Sequence, residues 1–278
     1  MGAVTISSIL EMLAMPFVIK AFICGTLIGA ICAWLGIFVT LNKMAFFSES
    51  ISHASITGIA ISIWLSFDPS IFLIFFSVFM AGVIAFVSQS SFSSKDSVIG
   101  IIHSATIAIG IILLSFLKGG NTDLSRYLFG DIMAIRQLDI IICVALFIAT
   151  VIYLLIFGKT HVITCLLSDF SVLEGISTPK YDFMLMIVLS LIIAVSVKIV
   201  GAILVTALLI IPSNAAKNIT TSFKKFSMLS IKFGILGAVL GIFMSVVLDL
   251  PTGPSIIVVN ALFYFITLGL RNYLRFSF

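Results

Sequence analysis

Glu49 and His53 stand four residues apart in Phe46-Phe47-Ser48-Glu49-Ser50-Ile51-Ser52-His53-Ala54-Ser55, where an apolar stretch opens. On a helix, positions i and i+4 share a face, so this carboxylate and imidazole can hold one cation between them. Such a ligand pair suits zinc, and also manganese or iron, which care less for nitrogen. Ionisable groups at membrane depth are costly and usually line a pathway. The same two residues also fit a plainer role, with Glu49 an anion at a helix N-terminus near water and His53 hydrogen-bonded inside a bundle. His103, in Gly100-Ile101-Ile102-His103-Ser104-Ala105, lies shortly after Lys95 and Asp96 in another apolar run. A lone histidine there is more often a satisfied core residue, but it becomes a third ligand if its helix packs beside that of Glu49. Spacing along the chain does not decide between these.

The other charged groups read more simply. Asp123, Arg126, Asp131, Arg136 and Asp139 fall in one connection around Tyr127-Leu128-Phe129-Gly130, as a solvated face or a docking surface. His161, Asp169 and Glu174 fall in a second connection, Lys198 is placed to snorkel to an interface, and Asp249 faces water. Cys24, Cys32, Cys143 and Cys165 lack CxxC spacing and read as small buried apolar residues. Gly158-Lys159-Thr160 resembles the end of a phosphate-binding loop, but the required leading glycine would fall at Tyr153, so no nucleotide site is expected. HExxH and GxSxG are both missing, which argues against a membrane-embedded hydrolase.

What must position these residues is a set of membrane helices. Of 278 residues, 61% are hydrophobic and 9% charged, against roughly a quarter charged in a soluble domain. Such a chain cannot cover a water-facing surface, so lipid must be its solvent. The net charge of +4 is scattered between apolar runs, with no clustered basic face for nucleic acid. At about 20 residues per span the length suits one all-α domain over residues 1–278, with no room for a sizeable soluble module. The N-terminus lacks the marks of a removable signal peptide, so the first helix is expected to stay in the membrane.

Candidate spans fall at 16–41, 50–67, 70–90, 98–117, 137–157, 181–197, 199–213, 227–248 and 254–271. The run from Phe183 to Ile211 is interrupted only by Lys198. Splitting it near Lys198–Gly201 gives nine spans and fusing it gives eight. Pro212 is expected to stop its helix at the cytoplasmic face, and Pro251, Gly253 and Pro254 to make a tight outer turn. With the C-terminus inside, the cytoplasmic connections receive Lys43, Lys95, Lys159, Lys180, Lys217, Lys224, Lys225, Arg271 and Arg275. The other side receives mainly Lys118, Arg126, Arg136 and Lys198, so that orientation is preferred.

Several segments together resemble one family. Glu49-Ser50-Ile51-Ser52-His53-Ala54 is similar to the acidic-x-x-x-His-Ala motif of the metal-importing ABC permeases for zinc, manganese and iron. Val200-Gly201-Ala202-Ile203-Leu204-Val205-Thr206-Ala207-Leu208-Leu209-Ile210-Ile211-Pro212 resembles that family's most characteristic segment. Asp249-Leu250-Pro251-Thr252-Gly253-Pro254-Ser255 and Tyr127-Leu128-Phe129-Gly130-Asp131 resemble its final and central outer turns, and the likeness runs from Phe17 to Leu270. Ile102-His103-Ser104-Ala105 and Lys198-Ile199-Val200-Gly201-Ala202 look like the zinc-uptake branch. Glu49 departs from the usual aspartate, and Ser213-Asn214-Ala215-Ala216 from the commoner Pro-Ala-Ala-Thr.

The resemblance implies a multi-pass permease of the bacterial inner membrane with a fold like that of the vitamin B12 importer. It would bind no permanent cofactor and would carry zinc as transported ion. It also implies a homodimer of this chain, two cytoplasmic ATPase subunits and an extracytoplasmic metal-binding protein. Glu49 and His53, with His103, would hold the ion in passage. Ser213, Asn214, Ala215, Ala216 and Lys217 would belong to the ATPase-coupling segment, a short helix spanning 213–225 by analogy. Manganese or iron in place of zinc is the alternative within the family. An ion-gradient-driven secondary transporter is the alternative outside it, although the inverted repeats expected of one are not seen.

Overall fold

The computed structural model describes residues 12, 14–116, 135–166 and 177–276. Expectations for Lys118, Asp123, Arg126, Tyr127–Asp131, Asp169 and Glu174 lie outside these residues. The described residues form nine helices: α1 Pro16–Leu41, α2 Ala45–Trp64, α3 Pro69–Ser90, α4 Lys95–Phe116, α5 Gln137–Leu166, α6 Thr178–Val200, α7 Ala202–Ile219, α8 Phe223–Leu248 and α9 Thr252–Phe276. Eight are long and apolar enough to cross a membrane, and α2 is the exception. Lipid cannot satisfy backbone polar groups, so helices, which satisfy their own, are the natural answer to this composition.

Local chemistry sets several helix ends. Asp68 caps α3, its carboxylate accepting from the Ser70 amide at 2.8 Å, with Pro69 in the first turn, where its missing N–H costs nothing. The Asp139 carboxylate reaches back to the Arg136 amide at 2.8 Å to open α5. Asp249 ends α8 in the left-handed region, at φ 51°, and the Leu250 amide donates to the Ser245 carbonyl at 3.0 Å. The tight turn expected there is present, with Asp249 exposed.

The chain divides into two compact units. One holds α1 up to Ile37, α5 up to Ala149, and α7 to α9. Its helices approach closely through small residues: a Cβ on Gly29 of α1 would lie 2.8 Å from the Gly234 carbonyl oxygen of α8, and the Ser230 hydroxyl donates to the Ala33 carbonyl at 2.6 Å. Cys24, Cys32 and Cys143 are buried free thiols in this unit, as small apolar residues would be.

The break between α6 and α7 is one residue, Gly201, with φ 89° and ψ 156°. That region is essentially closed to side-chain-bearing residues, so the glycine makes the break possible. Pro212, expected to end its helix, instead lies inside α7. It removes one backbone hydrogen bond, and the residues after it recover the helical bonding. Ser213 donates to the Leu209 carbonyl at 3.0 Å and Asn214 to that of Ile210 at 2.8 Å, so the turn around the proline is well bonded. Residues 213–225 accordingly do not form a separate short helix. Ser213 to Ile219 complete α7, Thr220 to Ser222 turn, and Phe223 opens α8.

The second unit holds α2, α3, α4, α5 from Thr150, and α6 up to Lys198. Here α2 packs on both α3 and α4. The Thr57 hydroxyl donates to the Thr106 carbonyl at 3.1 Å, and a Cβ on Gly58 would come within 2.8 Å of Phe76. Ile59, Leu73 and Ala194 form an apolar core. Lys95 pairs with Asp182 at 2.5 Å. His161, expected in a connection, is instead buried near the end of α5, with its Nε2 2.6 Å from the Tyr153 hydroxyl and its ring edge-on to Phe38 and Tyr181.

Candidate metal site in the second unit

The exception among the helices carries two of the three candidate ligands. α2 is rich in serine, and Ser48, Ser50, Ser52, Ser55 and Ser62 are all buried. Ser55 and Ser62 return their hydroxyls to carbonyls three residues back, at 2.6 and 2.7 Å. A helix this polar is tolerated at membrane depth when protein surrounds it. Almost all of α2 is covered. The accessible positions between its ends are Phe46, Glu49, His53 and Ile56, together with Ile61 and Ile63 further on. Phe46, Glu49, His53 and Ile56 recur at helical spacing, so Glu49 and His53 sit on the one stripe of α2 left open over its first three turns.

α4 brings His103 to that stripe. The His53 and His103 rings meet edge to face with centroids 5.2 Å apart. Each of Glu49, His53 and His103 offers a ligand atom within 4.8 Å of the other two, and all three side chains are half-buried. The condition set by sequence for His103, that its helix pack beside that of Glu49, is therefore met. Nδ1 of His103 is buried and has no hydrogen-bond partner, unlike a satisfied core histidine. Tetrahedral zinc at about 2.05 Å from each ligand needs donors ~3.3 Å apart, so small side-chain rotations would close the set on an ion. Two nitrogens and one carboxylate leave a fourth position for water or another ligand. Among the described residues this is the one such group of three.

The sequence-expected coupling residues lie in the other unit, at the end of α7. Ser213, Ala215 and Ala216 are buried, Asn214 is half-buried and Lys217 is exposed. Lys217, Thr221, Ser222, Lys224 and Lys225 form the exposed tip between α7 and α8. The open stripe on α2 was not foreseen from sequence. Its signal is present all the same, because the serines occupy the covered positions and the ionisable residues the uncovered ones.

The family model for the ABC 3 transport family matches residues 14–271. The high-affinity zinc uptake system membrane protein ZnuB of Haemophilus influenzae is 32% identical over 91% of this chain and 97% of its own length. The manganese transport system membrane protein MntC of Listeria innocua is 32% identical over 90% of this chain and 89% of its own. Among solved structures, PsaBC from Streptococcus pneumoniae in complex with Fab superimposes with a TM-score of 0.83 and 30% identity, over 99% of this chain and 100% of that one. The chain therefore belongs to the ABC 3 transport family, as the multi-pass inner-membrane permease of a metal-importing ABC transporter whose ATP hydrolysis lies in a separate subunit.

Proposed function

We propose that this permease imports zinc, and that Glu49, His53 and His103 hold the ion in transit. The relatives divide between zinc and manganese, so the choice rests on the ligands. The observation that carries it is the ring contact of His103 with His53, which supplies a second imidazole to a site that would otherwise offer one. Zinc favours nitrogen donors at tetrahedral sites, whereas manganese favours oxygen and higher coordination. A half-buried site with three protein ligands and one open position suits an ion that must be held and then released. The ion is cargo, and no permanent cofactor is invoked.

The assembly that fits is a homodimer of this chain with two cytoplasmic ATPase subunits and an extracytoplasmic metal-binding protein. The exposed basic tip at Lys217 to Lys225 suits contact with the ATPase, and the open stripe on α2 suits a pathway lined by two copies. The test is uptake of radioactive zinc by cells lacking their own zinc permease and supplied with this chain, its ATPase and its binding protein. Uptake should require a hydrolysis-competent ATPase, resist excess manganese, and collapse in Glu49→Ala and His53→Ala variants of equal membrane abundance. Manganese that blocks zinc uptake and is itself transported would move the cargo to manganese, and uptake without a live ATPase would overturn the assembly.

A further inference from the structure

Seven residues before His103, Asp96 stands on the same helix. Seven residues are within about 20° of two full turns, so the two side chains lie on one stripe, ~10 Å apart along the axis. Gly100 lies on that stripe between them, and a Cβ added there would meet nothing within 4 Å. Oδ1 of Asp96 is buried without a hydrogen-bond partner, as is Nδ1 of His103. Two desolvated polar atoms lacking partners thus bracket an open position. Leaving such atoms unsatisfied costs their desolvation with nothing to offset it, so both call for an explanation.

The obvious partner for Asp96 is already committed. Lys95, next in sequence, pairs with Asp182, the one ion pair among the described residues. A carboxylate in the first turn of α4 favours the helix dipole, which accounts for an acid at this end but not for an unpartnered oxygen. Contacts of His53 with His103 and Thr57 with Thr106 show α2 and α4 running parallel, in a register that puts Asp96 near the start of α2. By the lysine and arginine distribution that is the cytoplasmic end.

We propose that Asp96 is a second, weaker station for the transported divalent cation, on the cytoplasmic side of Glu49, His53 and His103 and joined to them by the open lane over Gly100. The proposal rests on the metal-site reading above. An ion leaving two imidazoles would exchange nitrogen for a carboxylate oxygen and water, which weakens its hold one step before release. Conduction through sites of this kind requires that no single one bind too tightly.

The experiment is initial-rate zinc uptake into proteoliposomes holding the complete transporter. Asp96→Asn should lower the maximal rate by about fivefold or more while half-saturating zinc stays within about twofold, because a downstream station governs release rather than capture. Asp96→Glu should recover at least half of the loss. Gly100→Leu should lower the maximal rate similarly with the carboxylate intact. Asp96→Ser, which keeps a hydrogen-bonding group at the helix start, controls for folding and should behave as Asp96→Asn at wild-type abundance. Wild-type rates in Asp96→Asn overturn the station, and so does a loss of abundance that Asp96→Glu shares, which assigns Asp96 to the fold alone. His53→Ala in parallel separates the two ideas: if it abolishes uptake while Asp96→Asn transports at the wild-type rate, the triad stands and the station falls. Normal uptake in His53→Ala strikes the triad itself.

Discussion

Replacing His103 by aspartate would turn two nitrogens and one oxygen into one nitrogen and two oxygens, and ion preference should follow the donors. His103→Asp is expected to strengthen manganese competition against zinc uptake by about tenfold, or ~1.4 kcal/mol of relative affinity. Competition curves in the cell uptake assay check this, and an unchanged manganese midpoint would remove His103 from the site. His161 answers to a different logic. Its Nε2 is held by the Tyr153 hydroxyl, and it is buried and not part of the three-residue group. Tyr153→Phe should leave that nitrogen short of a partner and destabilise the permease by about 1–3 kcal/mol. That would lower the melting temperature of the detergent-purified protein without changing cation preference. At this scale the sequence was legible where chemistry is local. Glu49 and His53 share a face by spacing alone. The approach of His103 depends on the packing of α2 against α4, which no spacing along the chain encodes, and the burial of His161 depends on how far α5 extends.

Gly201 and Pro212 show how far an element can be read from its punctuation. The break beside Lys198 was legible, because a charge and a glycine interrupt an otherwise continuous apolar run, and Gly201 alone makes the turn. Its backbone lies where Cβ clashes, so Gly201→Ala should cost about 1–3 kcal/mol. The measurement is again thermal unfolding of the purified permease, with Gly82→Ala as the comparison, since that position is open and helical. Equal melting temperatures for the two variants would contradict the strained turn. Pro212 was misleading for a physical reason. Proline removes one donor, but Ser213 and Asn214 bond back to carbonyls around it and α7 continues to Ile219. Helix ends near 157 and 213 were thus read too early, while α1, α3 and α8 matched their apolar runs closely.

For the whole molecule the apolar runs are compatible with eight or nine spans, the choice lying at Lys198; α6 and α7 are separate helices there, and the count turns instead on α2. α2 is too polar to qualify by apolarity alone, yet it is 20 residues long and mostly covered by protein. A helix of that length rises ~30 Å, enough for the hydrocarbon core. If α2 crosses, Lys43 and the turn at 91–94 lie on the same side, and so does Thr221; if it does not, Lys43 and Ser93 part company. The lysine and arginine pattern favours crossing, because it gathers Lys43, Lys95, Lys224 and Lys225 on one side. Single cysteines at Lys43, Ser93, Thr221 and Leu250, all exposed, can be tested with a membrane-impermeant maleimide in a Cys165→Ser background, since the other native thiols are buried. With α2 spanning, the first three should label only in inside-out vesicles and Leu250→Cys only in intact, outer-membrane-permeabilised cells. Labelling of Lys43→Cys and Ser93→Cys from opposite sides would take α2 out of the membrane. Glu49 and His53 would then no longer lie on a transmembrane route, and the cation site would have to act at the mouth of the pathway rather than within it.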